Sequence, residues 1–438
     1  MVHARLSIDR CDVVASVSPR LFGSFVEHMG RAVYTGIYEP AHPSADECGF
    51  RSDVLELVRE LGATVIRYPG GNFVSGYRWE DGVGPVSARP VRLDAAWHST
   101  ETNEVGLHEF AEWAERAGAE IMQAVNLGMR GIEDAAALLE YSNHRRHTAL
   151  SEQRRTNGRD EPFGITLWCL GNEMDGPWQI GHKTADEYGR LAAETGRLMK
   201  WIDPGIELVA AGSSNADMPT FGSWEATVLE HSAEIIDHIS LHAYYEERDG
   251  DVDSFLASSV GLDRYIRKVA EIIDSVLAAK RLDKIIGISV DEWNVWYQTR
   301  FNAAARGEVL RVAIESDQHD TALYGTVDLL DAVATATDDE LVLFLVNRSV
   351  NDDLQLHVDL AGVTARHVLD SRTLCIPDGS TRFLSNTASQ PDAVSPQALH
   401  QVHIDGEGLT ATLPPLSWSI VRLATSVSPS TVQGDLRA

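Results

Sequence analysis

Hydrophobic and polar positions follow two different rhythms along this chain, and the change between them marks a domain boundary. In the first rhythm, short apolar runs alternate with longer amphipathic stretches, the pattern of parallel strands joined by helices. The predicted strands cover residues 21–26, 64–68, 120–126, 165–170, 207–211, 235–241 and 285–290. The predicted helices cover residues 53–61, 107–117, 134–143, 185–202 and 262–279. These units predict an α/β fold with a TIM-type (β/α) barrel over residues 19–306, although they supply only seven strands.

The second rhythm is strand-like and rich in turns. It predicts strands over residues 340–347, 354–360, 365–369, 409–413 and 417–423, the pattern of a C-terminal antiparallel β-sandwich. The first 18 residues also alternate as strands do, and a barrel that begins at residue 19 leaves them unused. We therefore predict that residues 1–18 and 307–438 together form the sandwich domain.

The acidic composition narrows the choice of partners. Lys plus Arg number 37 against 65 Asp plus Glu, which gives a formal net charge of −28. Such a surface repels nucleic acid and anionic lipid, although plain solubility is the simpler reason for it. No apolar run approaches the roughly 20 residues of a membrane span, and the first residues show no apolar core of a secretory signal. Because the four cysteines are scattered without a CxxC pair, we expect reduced thiols and a cytoplasmic protein.

Two glutamates carry most of the chemical information. Glu173 follows the run Ile165-Thr-Leu-Trp-Cys-Leu-Gly-Asn172, and Glu292 follows Ile285-Ile-Gly-Ile-Ser-Val-Asp291. A carboxylate just past a buried barrel strand projects into the mouth, where active sites collect. The fourth and seventh strands lie nearly opposite, so the two carboxylates can face each other, and glycosidic bond cleavage needs such a pair. We expect burial near the second carboxylate to raise the pKa of the catalytic acid.

Other polar residues fall at the same ends of their strands. Arg67 precedes the turn Pro69-Gly70-Gly71-Asn72, where glycines let a ligand approach the backbone and Asn72 offers a donor and an acceptor. The first strand ends with Glu27 and His28, and the sixth ends with His242, Tyr244 and Tyr245. Taken alone, each of these residues could equally have a structural role, for example as a helix cap or in an ion pair. Their shared position at the same ends of the strands favours a functional role. The same holds for four tryptophans that we predict as apolar platforms for sugar rings: Trp97, Trp178, Trp293 and Trp296.

These segments resemble the α-L-arabinofuranosidases of glycoside hydrolase family 51. The matching stretches include Phe25-Val-Glu27-His28, Arg67-Tyr-Pro-Gly-Gly-Asn72, Trp168-Cys-Leu-Gly-Asn-Glu173, Ser240-Leu-His242 and Asp291-Glu-Trp-Asn-Val-Trp296. The resemblance implies a retaining mechanism with Glu173 as acid/base and Glu292 as nucleophile. It further implies no cofactor, terminal arabinofuranose in oligo- and polysaccharides as the substrate, and an intracellular homo-oligomer. Positions that match sugar-binding or pocket-lining residues of the family, or that we predict to assist them, are Glu27, Asn72, Asn172, Tyr244, Trp97, Trp178, Arg67 and His242.

One departure from the family concerns the eighth barrel strand. In the family, the chain continues after the Trp296-Tyr297 segment through an eighth strand, whose Gln reaches the sugar. Here Gly307-Glu-Val-Leu-Arg-Val already resembles the entry into the sandwich, so a segment of several tens of residues is absent. Either residues 308–314 fill the eighth position, which we do not expect, or another subunit covers the gap. Leu310 paired with both the first and the seventh barrel strand would contradict that expectation.

Two alternative functions remain open at the level of sequence. The missing strand is compatible with a catalytically impaired, sugar-binding homologue. The paired glutamates are also compatible with another barrel glycosidase, such as an endoglucanase. We find no phosphate-binding glycine loop and no HExxH or Cys/His spacing, so we expect no metal or cofactor.

Overall fold

A computed structural model describes residues 2–245, 251–295, 308–337, 339–361, 363–377, 379–381, 384, 393–405 and 408–427. The chain divides into two compact units. One comprises Phe22–Tyr244 and Leu262–Asn294, and the other comprises Met1–Leu21, Tyr245–Gly261 and Val295–Ala438. The segment Tyr245–Gly261, which the sequence assigned to the barrel, thus groups with the strand-rich unit.

Strands and helices alternate through the first unit, and strands dominate the second. In chain order the strands are β1 (Val2–Ser16), β2 (Gly23–Phe25), β3 (Val65–Tyr68), β4 (Arg92–Asp94), β5 (Ser99–Glu101), β6 (Glu120–Val125), β7 (Leu167–Leu170), β8 (Glu207–Ala210), β9 (His238–Tyr245), β10 (Gly287–Val295), β11 (Glu308–Ser316), β12 (Gln318–Thr321), β13 (Gly325–Asp328), β14 (Leu330–Ala336), β15 (Glu340–Asn347), β16 (Leu354–Ala361), β17 (Val363–Leu374), β18 (Gln397–Ala398), β19 (Val402–Asp405), β20 (Gly408–Leu413) and β21 (Ser417–Val427). The α-helices are α1 (Ser52–Leu61), α2 (Leu107–Ala117), α3 (Ile132–Asn143), α4 (Ala149–Thr156), α5 (Ala185–Ile202), α6 (Ser223–Ser232), α7 (Val252–Leu256) and α8 (Ser258–Lys280). Short 3₁₀ helices cover Pro19–Phe22, Asn72–Gly76, Trp79–Gly82 and Val86–Ala88.

The seven strands predicted for the barrel form one sheet in the order β10-β9-β8-β7-β6-β3-β2. Every registered pair from β2 to β9 is parallel. The inner strands β3 and β7 are buried throughout, whereas the residues of the end strand β2 are exposed or half-buried. The barrel sheet is nearly closed, with β10 and β2 as its two end strands. Within the described residues no eighth strand joins them. Residues 296–307, where we predict the missing segment, lie outside the described residues.

Side chains of the helices fix the ends of the strands that carry the site. Helix α5 begins at a capping box in which Thr184 accepts from the Glu187 amide and Glu187 accepts from the Thr184 amide. Its buried Tyr188 donates a hydrogen bond of 2.6 Å to the Leu170 carbonyl and accepts one of 2.7 Å from the Ala211 amide. One hydroxyl thereby links the C-terminal ends of β7 and β8, which lead into the mouth of the barrel.

The strand-rich unit is built on a ten-stranded sheet in the order β18-β17-β21-β15-β14-β11-β1-β16-β20-β19. Strand β1 pairs antiparallel with β11 and parallel with β16, so the first residues do supply a strand of the sandwich. In β11, Leu310 pairs with Val13 and Ala334, which belong to this sheet and not to the barrel. The prediction that 308–314 does not fill the eighth barrel position is therefore confirmed. Among the described residues, no helix has both the length and the apolar character that a bilayer crossing requires.

Candidate active site

Glu173 follows the C-terminal end of β7, and Glu292 lies in the C-terminal half of β10, which continues to Val295. Both are buried, with 7% and 4% of their surfaces exposed. Gly171 and Glu173 both have positive φ angles, +88° and +44°, so the chain turns sharply directly after β7. A left-handed conformation is uncommon for a glutamate and has to be held by its surroundings. The turn aims the Glu173 carboxylate into the barrel mouth.

The two carboxylates converge on one place. One oxygen of Glu173, one of Glu292 and a ring nitrogen of His242 all lie within 4.8 Å of one another. Arg67 Nη1 donates to Glu292 Oε1 at 2.6 Å, and the Tyr244 hydroxyl donates to Glu292 Oε2 at 2.8 Å. The Glu292 carboxylate is therefore held in place by charge-assisted hydrogen bonds from a buried guanidinium and a phenol.

His242 lies between the two glutamates and is fully buried. Its Nδ1 is 2.9 Å from Glu173 Oε1 and 3.5 Å from Glu292 Oε2. Its Nε2 is 3.0 Å from Asp291 Oδ1. Burial alone would lower the pKa of His242, but the charge of Glu292 and the hydrogen bonds with Asp291 and Glu173 raise this pKa to about 10.

The expectation of a raised pKa at Glu173 is wrong. Burial does act to raise the pKa of this carboxyl, but the hydrogen bond and the positive charge of His242 act in the opposite direction and outweigh it. A further hydrogen bond of 2.7 Å from Trp178 Nε1 to Glu173 Oε2 also lowers the pKa. The expectation took account of burial and of Glu292, but not of the His242 imidazole that lies between the two glutamates.

Glu27 forms a third buried carboxylate of the site. Its Oε1 accepts from the Phe73 amide at 2.9 Å and from Trp97 Nε1 at 2.8 Å. Burial is the main reason that the pKa of Glu27 rises to about 7, and the negative charge of Glu292 adds to the rise. The turn after β3 passes so close that a Cβ on Gly71 would lie 2.8 Å from Glu292 Oε1 and 3.1 Å from Glu27 Oε2. Only glycine fits between these two acids.

The remaining predicted residues surround this cluster. Asn172 accepts from Arg67 Nη2 at 2.8 Å through Oδ1, while its buried Nδ2 finds no acceptor among the described residues. Asn72 begins the 3₁₀ helix Asn72–Gly76 beside Gly71. The indoles of Trp97 and Trp178 are partly exposed, and their N–H groups donate to Glu27 and Glu173. Trp293 is 61% exposed, and Trp296 lies outside the described residues.

Two acids of this region were missed at the level of sequence. Asp291 contacts His242, and Glu101 lies 2.8 Å from Nδ1 of His28, whose Nε2 is 2.9 Å from the Tyr68 hydroxyl. Asp291 stands next to Glu292 in the printed sequence, which is a signal that could have found it. Nothing in the sequence links Glu101 to His28, because they are distant in the chain.

The donor atoms of Glu173, His242 and Glu292 are spaced closely enough to bind a metal ion, the only such group of three or more among the described residues. These atoms already form ion pairs with one another and with Arg67. The imidazole contacts both carboxylates, and the guanidinium pairs with Glu292. Buried ion pairs and hydrogen bonds therefore account for the cluster.

A barrel whose mouth holds two facing carboxylates has the form of a glycoside hydrolase. Models of the α-L-arabinofuranosidase 1 domain and of the α-L-arabinofuranosidase C-terminal domain match residues 57–265 and 296–417. An intracellular exo-α-(1→5)-L-arabinofuranosidase of Streptomyces lividans is 46% identical over 97% of this chain and 76% of its own length. An exo-α-(1→6)-L-arabinofuranosidase of Bifidobacterium longum is 43% identical over 96% of this chain and 97% of its own. The solved structure of a family 51 α-L-arabinofuranosidase from Bifidobacterium longum superposes with a TM-score of 0.91 at 40% identity, over 96% of this chain and 99% of the other. The chain belongs to the family 51 α-L-arabinofuranosidases.

The comparison with the Streptomyces protein also bears on the missing segment. The alignment extends over 504 positions, which exceeds the 438 residues of this chain by 66. At least that many positions therefore have no counterpart here. A gap of this size agrees with an absent barrel strand and its helix, while its location near residue 300 stays a prediction.

Proposed function

We propose that this protein hydrolyses terminal non-reducing α-L-arabinofuranosyl residues with retention of configuration. The observation that supports it best is the approach of Glu173 and Glu292 carboxylate oxygens to within 4.8 Å. Retaining glycosidases hold their two carboxyl groups about 5–5.5 Å apart, whereas inverting enzymes need a wider gap for a water molecule. Membership of the arabinofuranosidase family and the names of its relatives support the sugar.

In this mechanism Glu292 is the nucleophile. Arg67 and Tyr244 orient its carboxylate, and the attack forms a covalent arabinosyl-enzyme. Glu173 protonates the oxygen of the leaving group as that bond breaks. In the second step Glu173 takes a proton from water, and the water attacks the same carbon to release arabinose. Two inversions at one carbon give net retention.

The other polar groups bind the furanose ring. The buried Nδ2 of Asn172 is a free donor for a sugar hydroxyl next to the reacting carbon. The Glu27 carboxyl and the side chain of Asn72 add acceptors and donors on the side of the β3 turn. Trp97 and Trp178 border the pocket with aromatic surface that suits a sugar face.

Kinetics of Glu173→Ala and Glu292→Ala on p-nitrophenyl α-L-arabinofuranoside test this assignment. We expect Glu292→Ala to lose at least about 10³-fold in kcat, because no covalent intermediate can form. Azide should rescue both variants with opposite outcomes. With Glu173→Ala it attacks the arabinosyl-enzyme and gives an azide of the substrate's own configuration, whereas with Glu292→Ala it gives the inverted azide.

The assigned roles of Glu173 and Glu292 would be wrong if either variant kept the kcat of the parent. They would also be wrong if both variants gave azide products of the same configuration. A well-folded parent that binds arabinose without turnover would instead support an impaired homologue, which the intact set of carboxylates and hydrogen bonds does not favour. Side-by-side assays on arabinan and β-glucan separate the proposed activity from that of an endoglucanase, which the comparisons do not favour.

The linkage, location and assembly are narrower proposals. The relatives are named for α-(1→5) and α-(1→6) linkages at similar identity, so arabinan-type oligosaccharides of both kinds are suitable assay substrates. A cytoplasmic location is supported by the intracellular names of several relatives. The homo-oligomer stays a prediction, which the mass in solution decides.

A further inference from the structure

Both ring nitrogens of His242 face carboxylates. Glu173 lies on the Nδ1 side at 2.9 Å, with Glu292 at 3.5 Å, and Asp291 lies on the Nε2 side at 3.0 Å. An ionised carboxylate only accepts hydrogen bonds. The two contacts of 3.0 Å or less are therefore satisfied together in three ways: the ring carries both protons, or Glu173 carries one proton and donates it to Nδ1, or Asp291 carries one proton and donates it to Nε2.

The charges around the ring favour the first of these states. The groups that face it are Glu173 after β7, Asp291 and Glu292 on β10, and Arg67 on β3. These are three carboxylates against one permanent cation, so an imidazolium improves the balance inside a buried cluster. This agrees with the raised pKa of His242 and the lowered pKa of Glu173.

This arrangement leaves the proposed acid without its proton in the free enzyme. Glu173 must carry a proton to protonate the leaving group, yet its surroundings favour the carboxylate. The Trp178 indole also donates to Glu173, but its N–H is far too weak an acid to transfer its proton. An imidazolium at His242 supplies an acidic proton on Nδ1, already hydrogen-bonded to Glu173 Oε1. No other residue has to move for that proton to reach its place of use.

We propose that Asp291 is a positioning residue that keeps a proton on His242, and that this proton passes to Glu173 when substrate enters. The proposal rests on the proposed function. In the transfer the Nδ1–H bond breaks and an Oε1–H bond forms, so imidazolium and carboxylate become a neutral imidazole and a carboxylic acid. The total charge does not change. An uncharged sugar that excludes water favours the neutral pair, because separated charges lose solvation.

The proton returns within each turnover. Glu173 gives it to the leaving oxygen in the first step and takes a proton from the attacking water in the second. That proton then passes back from Oε1 to Nδ1, which restores the imidazolium. The net reaction is hydrolysis, and the enzyme exchanges no proton with bulk solvent during the cycle.

The test compares two leaving groups in Asp291→Asn. The amide oxygen can still accept from Nε2, so the variant removes the charge and keeps the contact. Methyl α-L-arabinofuranoside has a poor leaving group that needs protonation, whereas p-nitrophenolate leaves with little help. We expect kcat/KM to fall at least about 100-fold on the methyl glycoside and less than about tenfold on the nitrophenyl glycoside. The basic limb of the pH profile on the methyl glycoside should move down by about one unit or more, because His242 loses a negative neighbour.

Ser289→Ala is the matched control. Ser289 donates a neutral hydrogen bond of 3.2 Å to the other oxygen of Asp291, so its loss perturbs the same side chain without changing its charge. We expect both substrates and the pH profile to stay close to those of the parent. Equal losses on both substrates in Asp291→Asn, with an unmoved pH profile, would reduce Asp291 to a structural role and overturn the proposal.

A second measurement needs neither activity nor a stable variant at Asp291. In ¹⁵N-histidine NMR spectra of the parent at pH 8, one histidine should have both ring nitrogens protonated, and its signals should be absent from His242→Gln. A neutral imidazole at this position would overturn the proposal. If instead the parent hydrolyses no arabinofuranoside while His242 is an imidazolium, the proposed function fails and the proton site stands.

Discussion

Glu27 illustrates how burial and charge compete at a single residue. It is 5% exposed and lies near the negative charge of Glu292, so its carboxyl holds a proton to about pH 7 instead of the ordinary 4.5. The Phe73 amide and Trp97 indole donate to it but do not offset the cost of burial. A buried carboxyl with a raised pKa is a candidate ligand-binding group, which agrees with the proposed contact between Glu27 and the sugar.

Replacement of Glu27 by Gln should therefore stabilise the protein in a pH-dependent way. Between pH 4.5 and 7 the folded parent binds more protons at Glu27 than the unfolded chain does. The contribution of Glu27 to the free energy of unfolding is therefore fully present below pH 4.5 and is lost as the pH rises through 7. Gln imitates the protonated acid and does not titrate. The free energy of unfolding of Glu27→Gln minus that of the parent should therefore be larger at pH 8 than at pH 4. We expect this increase to reach up to about 3 kcal/mol.

Urea denaturation of both proteins at the two pH values measures this gain. A difference between the proteins that does not change with pH would contradict the raised pKa. Activity should change in the opposite sense, because the variant loses a carboxylate that we propose binds the sugar.

At the scale of elements, the turn after β3 holds the acids apart. Gly70 has a φ of +112°, and a Cβ there would lie 2.4 Å from Glu27 Cβ. Gly71 fits between Glu27 and Glu292. The glycine pair in the printed sequence predicts close approach of a ligand, and the structure shows that the turn also passes very close to the side chains of Glu27 and Glu292.

Gly70→Ala should reduce activity far more than a glycine substitution of similar backbone strain elsewhere. Gly118, the C-cap of α2, has a φ of +77° with open space around the missing Cβ, so Gly118→Ala is the matched control. Both changes put an alanine at a positive φ, which costs about 1–2 kcal/mol in the left-handed region near Gly118. Gly70 lies further from that region, so kcat/KM and not stability is the quantity to compare. We expect kcat/KM to fall at least about tenfold in Gly70→Ala alone, since Glu27 has to move. Similar kinetics in the two variants would show that the turn does not position Glu27.

At the scale of the whole molecule, the chain begins in the strand-rich unit, then forms the barrel unit, and returns to the strand-rich unit for its last part. Strand β1 lies between β11 and β16 in the ten-stranded sheet, where Leu6 is fully buried in its core. The first residues of the chain therefore close a core whose other strands follow residue 307. The pairing joins segments about 300 residues apart, which is costly in chain entropy and has to be repaid by packing.

Leu6→Ala should lower the free energy of unfolding by about 2–5 kcal/mol, the usual effect of a cavity at a buried leucine. The neighbouring Arg5, whose exposed ion pair with Asp359 spans 3.1 Å, serves as the control, and Arg5→Ala should cost less than about 1 kcal/mol. Chemical denaturation followed by circular dichroism measures both. A Leu6→Ala variant as stable as Arg5→Ala would show that β1 does not complete this core.

The sequence by itself determined the elements and the identity of the two principal acids. Apolar runs and amphipathic stretches report local burial, so all seven barrel strands and helices such as α2 and α5 could be predicted. The position of Glu173 just past a strand follows from the same periodicity, whereas β10 continues beyond Glu292 to Val295 and is longer than predicted. The assignment of β1 to the sandwich followed from what the barrel left unused.

Only the tertiary structure decided the electrostatics and the pairing. Whether Glu173 has a raised or lowered pKa depends on His242, which lies on another strand. The pairing of Leu310 with Val13 and Ala334 depends on contacts between distant segments. Coulomb interactions and hydrogen bonds act through space over a few ångströms, and local sequence does not encode which distant groups will lie within that range.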